Sequence, residues 1–513
     1  MAITHPEDAQ GGDIEKIYAE VTLPCGKKLQ NRLVKVAMYE HLASMFGGLP
    51  NEQHYTLYSN WSSFGWGMIM TGNVQVSPTH LSLGRDLIVP RTLSEECVSR
   101  YRKLADCIHG GHQAGPGPLA IMQLNHAGRQ SSNFLGGRYP FVPPLAPSAT
   151  PVSPKNTGLI SWLIHHLLFQ TPRAMSVLDI DNVVSEFVRG AELALRSGFD
   201  GVQLHVAHGY LLAQFLSPKV NKRKDEYGPG SLRLLHRIIT GIRAITPKDF
   251  AVGVKLNTSD YSALEQSTSK TQQEERALEH LRELASWGLV DFIEISGGDY
   301  ENPEFMMSGL KSPRQAFFAS FSAKAVRALE SESFSKPPLI VLTGGLRSPG
   351  HIISAISSQH THLLGIGRTS VTCPDLPLRL RRRAMEDTDV PTEQDFTPFQ
   401  PEPDLRLDFV HRWPWSWIWP FLPKITLIGA GIGMAWYVVA IRQLASHKIV
   451  ENEVYSPDYD LGGLGAVFKM WISSEALEYP KLRWFMVLMS SLMLCVAVTL
   501  LGSCFGNNLG LRH

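Results

Sequence analysis

From about residue 30 to residue 370 the chain alternates between short apolar runs rich in β-branched residues and longer stretches of helical period. The runs cover 31–38, 67–76, 118–125, 199–207, 250–257, 291–298, 338–345 and 362–369. Their apolarity is continuous rather than alternating, the pattern of strands buried on both faces of a parallel sheet. Between the later runs, the spacing predicts amphipathic helices over 179–197, 271–287 and 313–329, with Asp179 and Asp181 as starters of the first and Gly198 as its stop. Eight strand-and-helix units favour a closed α/β barrel, the (β/α)8 architecture, over an open doubly wound sheet. A Pro- and Gly-rich stretch over 128–154 reads as a long loop across one face of that barrel.

After Arg379 the pattern changes. The basic cluster Arg381, Arg382 and Arg383 precedes an acidic stretch punctuated by Pro391, Pro398, Pro401 and Pro403. Then come four tryptophans, Trp413, Trp415, Trp417 and Trp419, an apolar run over 425–441 and an uncharged run over 484–505. A hydrocarbon core about 30 Å thick takes roughly 20 helical residues, so these runs predict a two-span transmembrane tail with the tryptophans as an interfacial belt, over the alternative of a pair of buried soluble helices. The expected division is a disordered N-terminus over 1–17, a barrel over 18–385, a linker over 386–412, a transmembrane hairpin with its loop over 413–505 and a short tail over 506–513. With no apolar leader in the first twelve residues, the barrel is expected to face the cytosol, anchored to a lipid bilayer.

Composition changes this picture in two places. The 48 basic and 47 acidic side chains leave a formal charge of +1, which argues against a nucleic-acid partner. Charged residues are only 19% of the chain, consistent with a lipid-solvated portion. The six cysteines are scattered without a C-x-x-C pair, so no disulfide framework, zinc site or iron–sulfur site is expected.

The chemistry of such a barrel belongs at the C-terminal ends of its strands. There the sequence puts Ala37, Met38 and Tyr39, then Gly72, Gln123, the group His205, His208 and Tyr210, then Lys255, Gly344, Gly345, Gly367 and Arg368. The closing glycine pairs with Arg368 suit a phosphate after strands 7 and 8, although a lone Gly-Gly is more often a turn. Two imidazoles could grip a carbonyl oxygen on which negative charge develops, and a nearby phenol could deliver a proton. The same histidines also read as a metal pair or as satisfied core residues. Gln123 and Lys255, an amide and a cation, suit the pyrimidine edge and the reduced ring of a flavin.

These residues lie in longer motifs: NRLVKVAM at 31–38, TGN at 71–73, QLNHAGR at 123–129, PLAPS at 144–148, GFDGVQLHVAHGYLLAQFLSP at 198–218, NKRKDEYG at 221–228, TGG at 343–345 and GIGR at 365–368. In this order they resemble the old yellow enzyme family of FMN-dependent ene-reductases and NADH:flavin oxidoreductases, over about residues 18–380. The resemblance implies noncovalent FMN, touched by Ala37, Met38 and Tyr39, with Gly72 at its carbonyl edge, Gln123 and Lys255 on the ring, and Gly344, Gly345, Gly367 and Arg368 on the phosphate. It implies that His205 and His208 bind the carbonyl of a small unsaturated carbonyl substrate and that Tyr210 donates the proton. NADH or NADPH would be the hydride donor, without an iron–sulfur relay. The alternatives are an NADH oxidase that passes electrons to oxygen and an inactive membrane-anchored scaffold. Tyr39 and Lys255 stand where the family commonly has threonine or cysteine and arginine, and the segment after Tyr227 is shorter than the family's.

Overall fold

The computed structural model describes residues 10–111, 116–152, 166, 168–257, 270–296, 313–385, 396–401, 403, 405, 426–449 and 455–472. Each of the eight apolar runs contains a strand: β1 (Leu33–Lys35), β2 (Met68–Gln75), β3 (Leu119–Asn125), β4 (Gly201–Val206), β5 (Ala251–Asn257), β6 (Phe292–Ser296), β7 (Leu339–Thr343) and β8 (Leu363–Ile366). Neighbours pair in parallel in chain order, and β8 pairs with β1, so the sheet closes into the expected eight-stranded barrel.

Two faces of burial explain why the runs lack alternation. Val34, Met70, Ile121, Phe292, Val341 and Leu363 fill the inside, where Leu23 and Leu29 of an N-terminal hairpin plug the strand starts. Leu33, Ile69, Val202 and Ile340 point outward to the helices. Gly253 makes room for the interior filling, because a Cβ there would overlap the Phe292 ring.

The outer helices are α1 (Gln10–Tyr18), α2 (Glu52–Ser62), α3 (Glu95–Ile108), α4 (Val177–Arg196), α5 (Leu211–Leu216), α6 (Arg233–Ile245), α7 (Lys270–Ser286), α8 (Pro313–Ser331), α9 (Pro349–Ser357), the single turn α10 (Thr369–Thr372) and α11 (Leu376–Met385). Helix α4 starts earlier than its aspartates indicated. Ser176 is its cap, and Asp179 completes a reciprocal capping box from the third position. The expected stop at Gly198 holds its place, with φ of +80° just after the cap. The shortened stretch after Tyr227 closes without disruption. Asn221 Nδ2 donates to the Tyr227 carbonyl at 2.8 Å, and Arg237 donates to the Tyr227 hydroxyl at 2.7 Å.

Two expectations need correction. Residues 10–18 are not disordered: they form α1, whose Ile17 is fully buried and whose Tyr18 hydroxyl donates to the Pro377 carbonyl at 2.6 Å. The first proposed membrane span is the helix α12 (Thr426–Leu444), but it packs on protein. Ala435, Trp436, Val438, Ile441 and Leu444 are buried in the same core as the barrel helices, beside a second tail helix, α13 (Gly463–Ile472). Arg442 is buried there too. Among the described residues no helix is long and apolar enough to cross a membrane, and the two-span tail and bilayer partner lose that support. The tryptophan group and the second run, 484–505, lie outside the described residues.

The buried imidazoles set an acid limit to this fold. Burial lowers both His54 and His126 to about 3 from an ordinary 6.5, and His41, His80, His205 and His208 are also held well below that value. Between those values the unfolded chain binds more protons than the folded one, so stability falls as pH drops from about 6.5 toward 3. Each such group contributes about 1.4 kcal/mol per pH unit. Asp86 and Glu186, raised by burial to about 6 and about 7, act in the opposite sense, as do Glu40, Glu283 and Asp291, which burial also raises, but these carboxyls are fewer than the lowered histidines. Urea midpoints should therefore fall between pH 6.5 and 4.5; constant midpoints would refute this account.

Candidate active site

A chain of buried polar groups crosses five adjacent strands at the C-terminal mouth. Gln123 Nε2 on β3 donates to Gln203 Oε1 on β4 at 2.5 Å, and Gln203 Nε2 donates to Glu294 Oε2 on β6 at 2.9 Å. Glu294 Oε1 accepts from Lys255 Nζ on β5 and from Thr343 Oγ1 on β7, each at 2.9 Å. Parallel register makes this possible: Gln123 lies opposite Gln203, and Lys255 opposite both His205 and Glu294. Gln123 and Lys255 thus share one polar layer.

The histidine group stands at the end of β4. His205 Nε2 and His208 Nδ1 are 3.2 Å apart, and His208 Nε2 lies 3.0 Å from Ser296 Oγ. His208 has φ of +55° and is followed by Gly209 at +71°. A left-handed histidine costs energy and marks a place where the turn is held for a purpose. Gln130 Nε2 helps to hold it, donating to the His208 carbonyl at 3.0 Å. Tyr210 caps α5 and packs edge-on against His205, with ring centroids 4.8 Å apart. Burial, together with the Lys255 charge, pushes both imidazoles well below their usual range, so they are neutral at pH 7. The two rings bond to each other rather than standing side by side as free donors. Among the described residues no cluster of three or more His, Cys, Asp or Glu could hold a metal.

Gly72 sits on a bulge of β2 between Met70 and Asn73. Its N–H donates to Glu40 Oε1 and to the Tyr58 hydroxyl, both at 2.9 Å, and a Cβ there would overlap the Glu40 carboxylate and the Met38 carbonyl. Tyr58 also donates to Glu40. Glu40 is raised by burial, while burial lowers Lys35 to about 7 against the pull of Glu40. The Lys35 ammonium rests 3.9 Å from the Trp61 ring centroid. Ala37, Met38 and Tyr39 continue directly from β1 and are half-buried.

Gly344 and Gly345 follow β7 with φ of +114° and +78°, conformations that glycine takes without strain. Gly367 follows β8, where the nearest atoms to an added Cβ would be Val36 Cγ2 at 3.7 Å and Met38 Sδ at 3.8 Å. Arg368 is half-buried at the start of α10. Gly72, Gln123, His205 and Lys255 thus lie within the last four residues of their strands, and the other residues singled out from the sequence follow strand ends.

Gln203, Glu294, Glu40 and Tyr58 were not singled out from the sequence. For Gln203 and Glu294 a signal existed: each is a polar residue inside an otherwise apolar strand, two positions before His205 and Ser296. Glu40 and Tyr58 carry no such mark.

The mouth also passes a test of fit for a flavin. Asn73 Oδ1, Asn125 Oδ1 and His205 Nδ1 are buried with no hydrogen-bond partner, and buried polar atoms without partners are costly. They are polar edges of the kind a heteroaromatic ring with carbonyls and N–H groups satisfies.

Residues 19–387 match the model of the NADH:flavin oxidoreductase / NADH oxidase family, and the chain belongs to that family. The family's name describes flavin oxidoreductases that use NADH. The chain is 41% identical over 371 residues to the NADH-dependent flavin oxidoreductase iliE of Neonectria sp., a match covering 70% of this chain and 46% of that protein. The chain thus matches under half the length of that relative. It is 34% identical over 438 residues to the NADH-dependent flavin oxidoreductase iccE of Talaromyces variabilis, covering 83% of this chain and 97% of that one. The fold is also that of the old yellow enzyme homologue from Zymomonas mobilis, with TM-score 0.56, 21% identity and coverage of 75% and 97%.

Proposed function

We propose that the protein reduces the activated double bond of a small α,β-unsaturated carbonyl compound at the expense of NADH. The observation that carries this reading is the neutral His205 and His208 pair with Tyr210 packed against it, on the strand between those bearing Gln123 and Lys255. In this reading FMN, when bound, supplies hydride transfer between the nicotinamide and the alkene. Gln123 holds the pyrimidine edge of the ring, Lys255 offsets negative charge on it, and Ala37, Met38, Tyr39 and Gly72 line it. Gly344, Gly345, Gly367 and Arg368 hold the phosphate.

His205 and His208 bind the substrate carbonyl oxygen through N–H groups. Being neutral, each imidazole has one N–H to give, and both the bond between the two rings and the His208 bond to Ser296 must rearrange when the carbonyl arrives. These donors stabilise charge as it develops on that oxygen. Tyr210 supplies the proton to the carbon next to the carbonyl. The two relatives are NADH-dependent by name, which supports NADH over NADPH.

Purified protein reconstituted with FMN and mixed with NADH under nitrogen should turn over only when a cyclic enone is added, with one saturated ketone formed per NADH consumed. NADH consumption that needs oxygen and ignores the enone would instead assign an oxidase.

A further inference from the structure

The helices α12 and α13 lie beyond the residues that match the family, which end at 387. They nevertheless reach the candidate cofactor site at two points. The buried ring of Tyr437 faces Arg368, whose guanidinium carbon is 5.9 Å from the ring centroid. Farther along α12, Arg442 Nη2 donates to His41 Nδ1 at 2.9 Å while its Nη1 donates to the Lys469 carbonyl at 3.0 Å.

One guanidinium thereby ties both tail helices to the turn that follows β1. His41 stands in that turn with φ of +56°, 5.6 Å from the Tyr39 ring and edge-on to Trp471 at 5.1 Å. Since arginine only donates, His41 Nδ1 must accept and the ring must be neutral with its proton on Nε2. Asn60 of α2 locks the end of α12. Its Nδ2 donates to the carbonyls of Leu444 and His447 at 2.8 and 3.0 Å, and its Oδ1 accepts from Ile449 N–H at 3.0 Å.

We infer that the tail helices form a wall of the FMN site, in which Tyr437 is the positioning residue for Arg368 at the phosphate and Arg442 is the positioning residue for the Tyr39–His41 turn beside the ring. The inference rests on the FMN reading of the mouth. Contact with an aromatic face orients a guanidinium without neutralising it, whereas a carboxylate in that place would compete with the phosphate. Contact through His41 fixes a backbone turn rather than a charge, so the two positions act on different parts of the cofactor.

Riboflavin, which has the ring and no phosphate, separates them. Dissociation constants of full-length apoprotein for FMN and riboflavin are measured by quenching of flavin fluorescence, with circular dichroism and thermal midpoints as controls of folding. Tyr437→Leu should weaken FMN by about 3- to 30-fold, the range of a cation–π contact, and leave riboflavin within about twofold. Tyr437→Phe should restore FMN affinity. Tyr437→Met, which fills similar space without a π face, repeats the test if the leucine variant does not fold. Arg442→Ala should weaken both flavins by the same factor.

A Tyr437→Leu protein that binds both flavins as wild type does, or loses both equally, overturns the phosphate assignment. An Arg442→Ala protein with unchanged affinities overturns the ring assignment. Wild-type protein that binds neither flavin refutes the FMN reading itself, a different result from either.

Discussion

Replacing Tyr210 by phenylalanine is expected to lower turnover of an enone by about 10²- to 10⁴-fold, the usual worth of a positioned proton donor. Bleaching of the flavin absorbance by NADH under nitrogen should keep its wild-type rate. The separation follows from geometry. The Tyr210 ring is buried and packs edge-on against His205, and phenylalanine preserves that ring and its contacts. Only the hydroxyl is removed, and nothing in the passage of hydride from nicotinamide to flavin uses it. The expected signature is therefore a fall in kcat with the enone and little change in its KM, because the proposed reading gives the binding of the carbonyl to the histidines. Stopped-flow traces of the two half-reactions decide the matter. Equal slowing of both, or of neither, removes Tyr210 from the role of proton donor.

The grouping of His205, His208 and Tyr210 was legible in the sequence because one strand end presents all three within six residues. The barrel was legible for a related reason: strands buried on both faces produce uninterrupted apolar runs, and each of the eight held its place. What stayed hidden depends on contacts between distant parts of the chain. Glu40 matters because Gly72 and Tyr58 converge on it, and Glu294 because three other strands turn donors toward it.

The misreading of 425–441 has the same origin. An apolar helix looks alike whether lipid or protein covers it, and the difference here lies in the barrel surface offered by α2 and α10. Arg442 stands just past the end of that run. In the fold it is buried and bonded to His41. The helix of residues 10–18 was likewise invisible to periodicity, because its order comes from Ile17 and Tyr18 docking on distant elements.

Glu294→Ala should be the most damaging single change at the mouth. Glu294 is fully buried and accepts from Lys255, Gln203 and Thr343. Its removal leaves a buried ammonium without its counter-charge and two polar donors without an acceptor, a loss of about 3–5 kcal/mol for the broken ion pair. That is a large part of the stability of an ordinary domain. The variant is expected to unfold at markedly lower urea and to purify with little FMN, because Gln203 is then free to turn and Gln123 loses its fixed orientation. The double variant Glu294→Leu with Lys255→Met separates the two effects. With both charges replaced by apolar groups of similar size, no unpaired ion remains, and most of the stability should return. FMN affinity should not return, since the cation that the proposed reading sets beside the ring is gone. If the double variant regains both stability and FMN, Lys255 serves the fold alone; if Glu294→Ala matches the wild-type urea midpoint, the buried chain across the five strands does not hold the mouth together.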